Sequence, residues 1–105
     1  MIGKFIKQLF GAKEKVDYKA LLANGATIID VRTQGEFKMG HIKGAINIPV
    51  DEIRSKVNEL KQKGKPVITC CRSGARSGMA AGILRKNGLE AYNGGPWNSL
   101  NNQLH

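Results

Sequence analysis

The two cysteines of the chain are adjacent, Cys70 and Cys71, where a β-branched run that begins at Val67 meets a basic segment. The thiolate is the nucleophilic form of cysteine, and it is populated near neutral pH only where the pKa lies below its ordinary value of about 8.5. The next six residues combine positive charge, hydroxyl donors and a glycine: Arg72, Ser73, Gly74, Ala75, Arg76 and Ser77. A loop of this kind, opening into a helix, points backbone N–H groups at an anion. The segment is typical of a cradle for a reactive thiolate or a bound oxyanion.

The positions of the two cysteines predict different roles. Cys70 belongs to the β-branched run, where a buried cysteine behaves as an inert small hydrophobe. Cys71 is the last residue before the basic segment, and we expect it to be the functional thiol. Simpler explanations stay open for the arginines, with Arg72 as a solvated surface charge and Arg76 as a helix-surface residue with a salt-bridge partner.

Composition limits the classes of function. A length of 105 residues fits one domain with a single modest core. Adjacent cysteines cannot form a structural disulfide framework, so we expect a reducing compartment, the cytoplasm. No run reaches the roughly 20 apolar residues of a membrane span. The net charge of +9 favours anionic ligands. It does not indicate nucleic-acid binding, because the lysines are dispersed and only one Trp, two Tyr and three Phe could stack on bases.

The first residues form a distinct amphipathic segment. Apolar residues at helical spacing, interleaved with lysines, predict a helix that ends near Gly11: Ile2, Phe5, Ile6, Leu9 and Phe10. Lys4 and Lys7 would interrupt the apolar region of a secretory signal. We therefore predict an N-terminal appendage over residues 1–15 and the domain proper over residues 16–105. The helix is expected to dock on the domain, with a weak contact of residues 1–11 to a membrane surface or a partner as the alternative.

Strands alternate with helices through the rest of the chain. Hydrophobic periodicity and turn residues predict strands over residues 27–31, 45–48, 67–70 and 89–93. Helices are predicted over residues 17–25, 51–63 and 75–87, with a helical turn over 32–39 and a final helical stretch. This alternation predicts an α/β domain with a central parallel β-sheet and helices on both faces. Ligands bind at the carboxyl ends of strands in such sheets, and Cys71 lies at one.

Four motifs, in a fixed order and spacing, carry a resemblance to a known family. They are Ile29-Asp30-Val31-Arg32, then Glu36-Phe37 with Gly40-His41-Ile42-Lys43-Gly44-Ala45-Ile46-Asn47-Ile48-Pro49, then Cys71 to Ser77, and finally Gly94-Gly95 with Trp97. The chain resembles a single-domain rhodanese, a sulfurtransferase, over residues 18–104. The resemblance implies the three-layer rhodanese-like fold, which is the parallel α/β arrangement expected from the periodicity.

The resemblance implies a thiosulfate sulfurtransferase in which Cys71 is the catalytic nucleophile. Its thiolate would take a sulfane sulfur from a small anionic donor, thiosulfate or a persulfide. The resulting Cys71 persulfide would pass the sulfur to cyanide or to a thiol, such as glutathione or a thioredoxin-type protein. The residues that carry over as the substrate-binding cradle are Arg72, Ser73, Gly74, Ala75, Arg76 and Ser77, with both arginines drawing in the donor. No metal and no organic cofactor is implied.

The remaining motif residues are expected to support the loop. The resemblance places Asp30 and Arg32 beneath it, with Arg32 paired to Glu36 or to a neighbouring carboxylate. His41 is expected to be a turn histidine bonded to backbone rather than a base. Three residues are expected to shape the turn beside the site and to cap the core: Gly94, Gly95 and Trp97.

Alternatives to sulfur transfer stay open. Phosphatases with a related fold use Cys-x5-Arg, and five residues separate Cys70 from Arg76 whereas four separate Cys71 from it. A phosphate ester needs the wider loop, so the Cys71 register favours sulfur. A non-catalytic rhodanese-like docking module is the other alternative, although such modules usually lack the loop cysteine. Cys70 could also serve as a resolving thiol for the Cys71 persulfide.

Overall fold

The computed structural model describes residues 15–105, and four strands in them form one parallel sheet. The strands are β1 (Thr27–Asp30), β2 (Ile46–Asn47), β3 (Val67–Cys71) and β4 (Ala91–Pro96). The α-helices are α1 (Tyr18–Ala23), α2 (Gln34–Lys38), α3 (Ile53–Lys63), α4 (Ala75–Lys86) and α5 (Trp97–Leu104), and a 3-10 helix, Val50–Glu52, precedes α3. The strand order is β2-β1-β3-β4. Strand β3, which carries both cysteines, is therefore flanked by β1 and β4.

Capping side chains fix where the first two helices begin. The Asp17 carboxylate accepts the N–H of Ala20 at 3.0 Å, which starts α1 at the predicted position. At α2, Thr33 and Glu36 form a reciprocal capping box, in which each side chain accepts the backbone N–H of the other residue. The capping box holds Glu36 in the first turn of α2, the helix that follows the carboxyl end of β1.

Within residues 15–105 the core consists of two apolar clusters, one on each face of the sheet. One cluster receives α3 and α4 and includes Val67 and Cys71 from β3. The other receives α1 and α5 and includes Ile68 and Cys70. Successive side chains of a strand point to opposite faces, so the adjacent cysteines belong to different clusters. The predicted three-layer α/β architecture, with helices on both faces of a parallel sheet, is confirmed.

Strand β4 lies later in the chain than the sequence predicted, covering Ala91–Pro96 rather than residues 89–93. The Gly94-Gly95 pair predicts a turn, yet Gly94 lies within β4. The backbone of β3 approaches Gly94 closely. A Cβ atom at position 94 would stand 2.8 Å from the Thr69 carbonyl oxygen and 2.9 Å from a Leu100 methyl group. Only glycine fits this contact, and the same crowding accompanies a register shift between Thr69 and Cys71.

Other element boundaries differ by a few residues. Strand β2 covers Ile46–Asn47 rather than residues 45–48, although the Ile48 N–H still donates to the Asp30 carbonyl oxygen at 3.0 Å. Pro49 follows and offers no N–H to continue the ladder. Strand β3 reaches one residue beyond its predicted end and includes Cys71. The Cys71 side chain therefore extends from the last residue of the strand rather than from the loop.

The predicted amphipathic helix over residues 1–11 lies outside the described residues, so its docking and the boundary of the appendage stay predictions. Within residues 15–105, no helix combines the length and the apolar character needed to cross a bilayer.

Candidate active site

The segment after Cys71 curls back over its sulfur at the carboxyl end of β3. The N–H groups of Gly74 and Ser77 donate to Cys71 Sγ at 3.0 and 3.3 Å. The loop turns tightly because Gly74 has a φ of +99°, in the left-handed region where a side chain is strained. Helix α4 begins at the next residue, so its first turn faces the sulfur. The sulfur is fully buried at the base of this cradle.

The environment of Cys71 favours its thiolate. Burial raises the pKa of Cys71, but hydrogen bonds from the Ser77 hydroxyl and from the N–H groups of Ser77, Gly74 and Ser73 outweigh it. The net effect is a pKa below the ordinary value. Backbone dipoles that already point at the sulfur stabilise negative charge without any rearrangement of the loop.

We expect the reaction of Cys71 with iodoacetamide to follow a pH profile whose midpoint lies below that of the urea-unfolded chain. The thiolate reacts, and a lowered pKa populates it at lower pH. For the same reason the thiolate stabilises the folded state above the ordinary cysteine pKa, and this contribution is lost as the pH falls through the lower folded value. Mass spectrometry of the alkylated Cys71 peptide measures the profile. A native midpoint at or above the unfolded one would contradict the expectation.

Cys70 has the opposite environment. Its side chain is fully buried in the cluster formed with α1 and α5, on the other face of the sheet from the cradle. Burial first, and then the negative charge of Asp30, raise the pKa of Cys70 to about 12. Its sulfur is not placed to attack a substrate in the cradle or to resolve a persulfide on Cys71.

Asp30 and Arg32 form a buried ion pair at the end of β1. Arg32 Nη2 lies 2.7 Å from Asp30 Oδ2, and Arg32 Nε donates to Asp30 Oδ1 at 2.9 Å. The neighbouring carboxylate expected for Arg32 is therefore Asp30, while Glu36 offers only its main-chain oxygen, at 3.3 Å. Arg32 also donates to the Gly40 carbonyl oxygen at 2.7 Å and lies 4.8 Å from the centre of the Trp97 ring. The pair ties β1, the segment after α2 and the start of α5 together.

Glu36 of α2 forms an ion pair with Arg76 in the first turn of α4. The two guanidinium nitrogens of Arg76 donate to the two carboxylate oxygens of Glu36 at 2.8 and 3.0 Å. The hydrogen bonds from Arg76 are the main reason that the pKa of Glu36 is lowered to about 2, and the hydrogen bond from the Thr33 backbone N–H is the next. Arg76 is thus an ion-paired helix residue, which was the simpler of its two predicted roles. Both terminal nitrogens of the Arg76 guanidinium bind the Glu36 carboxylate, and these two hydrogen bonds connect α4 to α2.

Arg72 and Ser73 form the exposed part of the loop. Among residues 15–105, no carboxylate lies within 4.0 Å of the Arg72 guanidinium. The Ser73 hydroxyl accepts the Ala75 N–H at 3.4 Å, which rounds the loop. Arg72 is therefore the arginine of the cradle whose charge is available to an approaching anion.

The model of the Rhodanese-like domain family matches residues 14–96. The chain belongs to the rhodanese-like domain family. The match spans all of the strands and the whole loop from Cys71 to Ser77. The resemblance noted from the four motifs is confirmed, and with it the rhodanese fold.

Similar proteins extend this finding. The Bacillus subtilis (strain 168) protein "Uncharacterized protein YqhL" is 49% identical over 69 residues, which are 65% of this chain and 54% of YqhL. A solved rhodanese with anions from E. coli is 32% identical with a TM-score of 0.64, covering 70% of this chain and 89% of that one. The human single-domain sulfurtransferase TSTD1 is 31% identical with a TM-score of 0.59, covering 75% and 85%. The chain spans about half or less of the length of the curated relatives it matches.

This rhodanese-like site also contains residues that the sequence did not single out. The Ser77 hydroxyl, 3.3 Å from Cys71 Sγ, donates to the Asn93 side-chain oxygen at 2.6 Å. Thr69, buried in β3, donates to the Ser77 carbonyl oxygen at 2.8 Å. An asparagine before Gly-Gly reads as a turn residue, so only the fold reveals its contact with Ser77. His41, as expected, bonds to backbone, with Nδ1 2.8 Å from the Phe37 carbonyl oxygen.

Proposed function

We propose that this protein is a sulfurtransferase that carries sulfane sulfur as a persulfide on Cys71. One observation carries the proposal: the N–H groups of Gly74 and Ser77 donate to Cys71 Sγ at the end of β3, and the Ser77 hydroxyl oxygen, which accepts the thiol S–H, lies 3.3 Å from it. This arrangement stabilises a thiolate and offers the same donors to a second sulfur atom bound to it.

The transfer consists of two displacements at sulfur. Cys71 Sγ attacks the outer sulfur of thiosulfate, the S–S bond of thiosulfate breaks, and the electron pair leaves with sulfite. An acceptor then attacks the outer sulfur of the persulfide, whose S–S bond breaks and returns the thiolate to Cys71. No net electron transfer or cofactor is required.

The charges of the site favour an anionic donor, thiosulfate or a persulfide. Arg72 would attract the donor and stabilise departing sulfite, since it is exposed and no carboxylate within residues 15–105 pairs with it. Arg76, held by Glu36, would contribute to the field but not to direct contact. A thiol such as glutathione, or a thioredoxin-type protein, is the proposed acceptor, with cyanide as its substitute in an assay.

The phosphatase alternative requires Cys70 as nucleophile, because only Cys70 gives the five-residue spacing to Arg76. In the structure the Cys70 sulfur lies on the other face of the sheet, and burial raises its pKa to about 12. A nucleophile so placed cannot reach the cradle. The geometry therefore favours sulfur transfer over phosphate-ester hydrolysis.

Incubation of the purified protein with thiosulfate tests the proposal. We expect mass spectrometry to find one added sulfur atom on the Cys71 peptide, and added cyanide to remove it as thiocyanate. Glutathione should remove it as well. A parallel assay with a phosphate ester should show no turnover. If no persulfide forms from thiosulfate or from glutathione persulfide, the sulfurtransferase proposal fails and a docking module becomes the better explanation.

A further inference from the structure

The Asn93 side chain connects two residues of the cradle to strand β4. Its Oδ1 accepts the Ser77 hydroxyl at 2.6 Å and the Gly95 N–H at 3.0 Å, and its Nδ2 donates to the Gly74 carbonyl oxygen at 3.2 Å. The amide lies directly against α4, since a Cβ atom at Gly78 would stand 3.1 Å from Asn93 Nδ2. Asn93 therefore contacts both loop residues whose N–H groups donate to the sulfur.

The Ser77 hydroxyl has one proton and two neighbours that can accept it. While Cys71 is a thiol, its S–H donates to Ser77 Oγ, and the Ser77 proton is free to donate to Asn93 Oδ1. When the thiol proton leaves to solvent, the thiolate can only accept, so the Ser77 proton must turn from Asn93 to the sulfur. Asn93 Oδ1 keeps the Gly95 N–H after this exchange and is not left unpaired.

We propose that Asn93 is a positioning residue, which directs the Ser77 hydroxyl proton away from the sulfur in the thiol state and releases that proton to the thiolate. Through this competition Asn93 sets how much of the Ser77 hydrogen bond stabilises the thiolate. The same exchange accompanies each return of the thiolate during sulfur transfer. The inference rests on the proposed function, because it takes Cys71 as the reacting residue. The hydrogen-bond exchange itself depends only on the ionisation of the Cys71 thiol and needs no sulfur donor.

Asn93 is neutral, so its effect differs from that of the charged groups around the sulfur. Arg76 on α4 and Cys70 on β3 interact electrostatically with Cys71, and Tyr18 on α1 contacts Asn93. Behind them lie Asp30, Arg32 and Glu36, and Arg72 follows Cys71 in the loop. Asp30 and Glu36 are each paired to an arginine, and the Tyr18 hydroxyl donates to the Asn93 main-chain oxygen at 3.2 Å. None of these contacts depends on the Asn93 side chain, so substitutions of it leave them in place.

Two substitutions of Asn93 should shift the pH profile of Cys71 alkylation in opposite directions. Asn93→Ala frees the Ser77 proton for the thiolate, so the midpoint should fall by about one unit. Asn93→Asp offers Ser77 a stronger acceptor and places a negative charge near the thiolate, so the midpoint should rise by about one unit or more. If Asn93 only held the loop together, both variants would lose cradle donors and both midpoints would rise.

Controls separate the exchange from loss of structure. Asn102→Asp adds the same charge on the exposed face of α5 and should leave the midpoint unchanged. In a Ser77→Ala background, Asn93→Ala should no longer lower the midpoint, because no hydroxyl remains to be released. Thermal melts establish that each variant is folded, and if Asn93→Ala does not fold, Asn93→Ser takes its place. Shifts of the same sign in both Asn93 variants, or a shift that survives Ser77→Ala, would overturn the proposal.

Failure of this inference is distinguishable from failure of the proposed function. Alkylation reports on the thiolate whether or not the protein accepts sulfur. A protein that forms no persulfide but shows opposite shifts keeps the inference and loses the function. A protein that forms the persulfide but shows shifts of the same sign keeps the function and loses the inference.

Discussion

Replacement of Cys71 by serine is expected to lower sulfur transfer from thiosulfate to cyanide by about a thousandfold or more. A serine hydroxyl does not form the persulfide equivalent at neutral pH, so the carrier of the sulfur is lost rather than weakened. The rate of thiocyanate formation measures the effect, and mass spectrometry should find no sulfur added to the variant. The fold should persist, because oxygen replaces sulfur at a position where hydrogen-bond donors already converge.

Cys70→Ala is the matched control for this experiment. Cys70 lies on the other face of the sheet and is packed among apolar side chains, so alanine leaves no unpaired hydroxyl there. We expect this variant to keep most of the activity of the parent. Loss of transfer in Cys70→Ala together with retention in Cys71→Ser would reverse the assignment of the nucleophile.

Arg32→Ala is expected to lower the free energy of unfolding by about 3–5 kcal/mol. The Asp30 carboxylate is completely buried, and removal of Arg32 leaves its charge without a counterion. The substitution also removes the hydrogen bond to Gly40 and the contact with the Trp97 ring. Urea unfolding followed by circular dichroism measures the change.

Two further arginine variants show whether the buried pair is the cause. Arg54→Ala removes an exposed guanidinium from α3 and should change the free energy of unfolding by no more than about 0.5 kcal/mol. Arg32→Lys keeps the charge but cannot make two parallel hydrogen bonds to Asp30, so it should lie between the parent and Arg32→Ala. If Arg32→Ala were as stable as Arg54→Ala, the pair would not be a main contributor to the stability of the fold.

Local patterns predict much of this fold. The alternation of β-branched runs with helical periodicity indicated the parallel sheet, and capping at Asp17 marked the first helix where the structure has it. The position of Cys71 at a strand end indicated the cradle, since the carboxyl ends of parallel strands are where loops can surround a ligand. These features depend on neighbouring residues, which is why a single sequence reveals them.

Contacts between distant residues were harder to predict. Glu36 and Arg76 are forty positions apart, and only the placement of α2 against α4 brings them together. Asn93 reaches Ser77 because β4 continues through Gly94 at a close approach to β3, where the sequence suggested a turn. Nothing in the local sequence encodes such approaches, because they result from how separate elements pack.

The brevity of β2 has a consequence for the behaviour of the protein at high concentration. Strand β2 forms one edge of the sheet, covers only Ile46–Asn47 and is soon followed by Pro49. At the opposite edge, β4 contains two glycines and ends at Pro96. Long, regular edges allow a sheet to recruit strands from other copies, whereas short edges interrupted by proline do not. In residues 15–105, both edge strands are therefore short or end at a proline, which disfavours self-association through them.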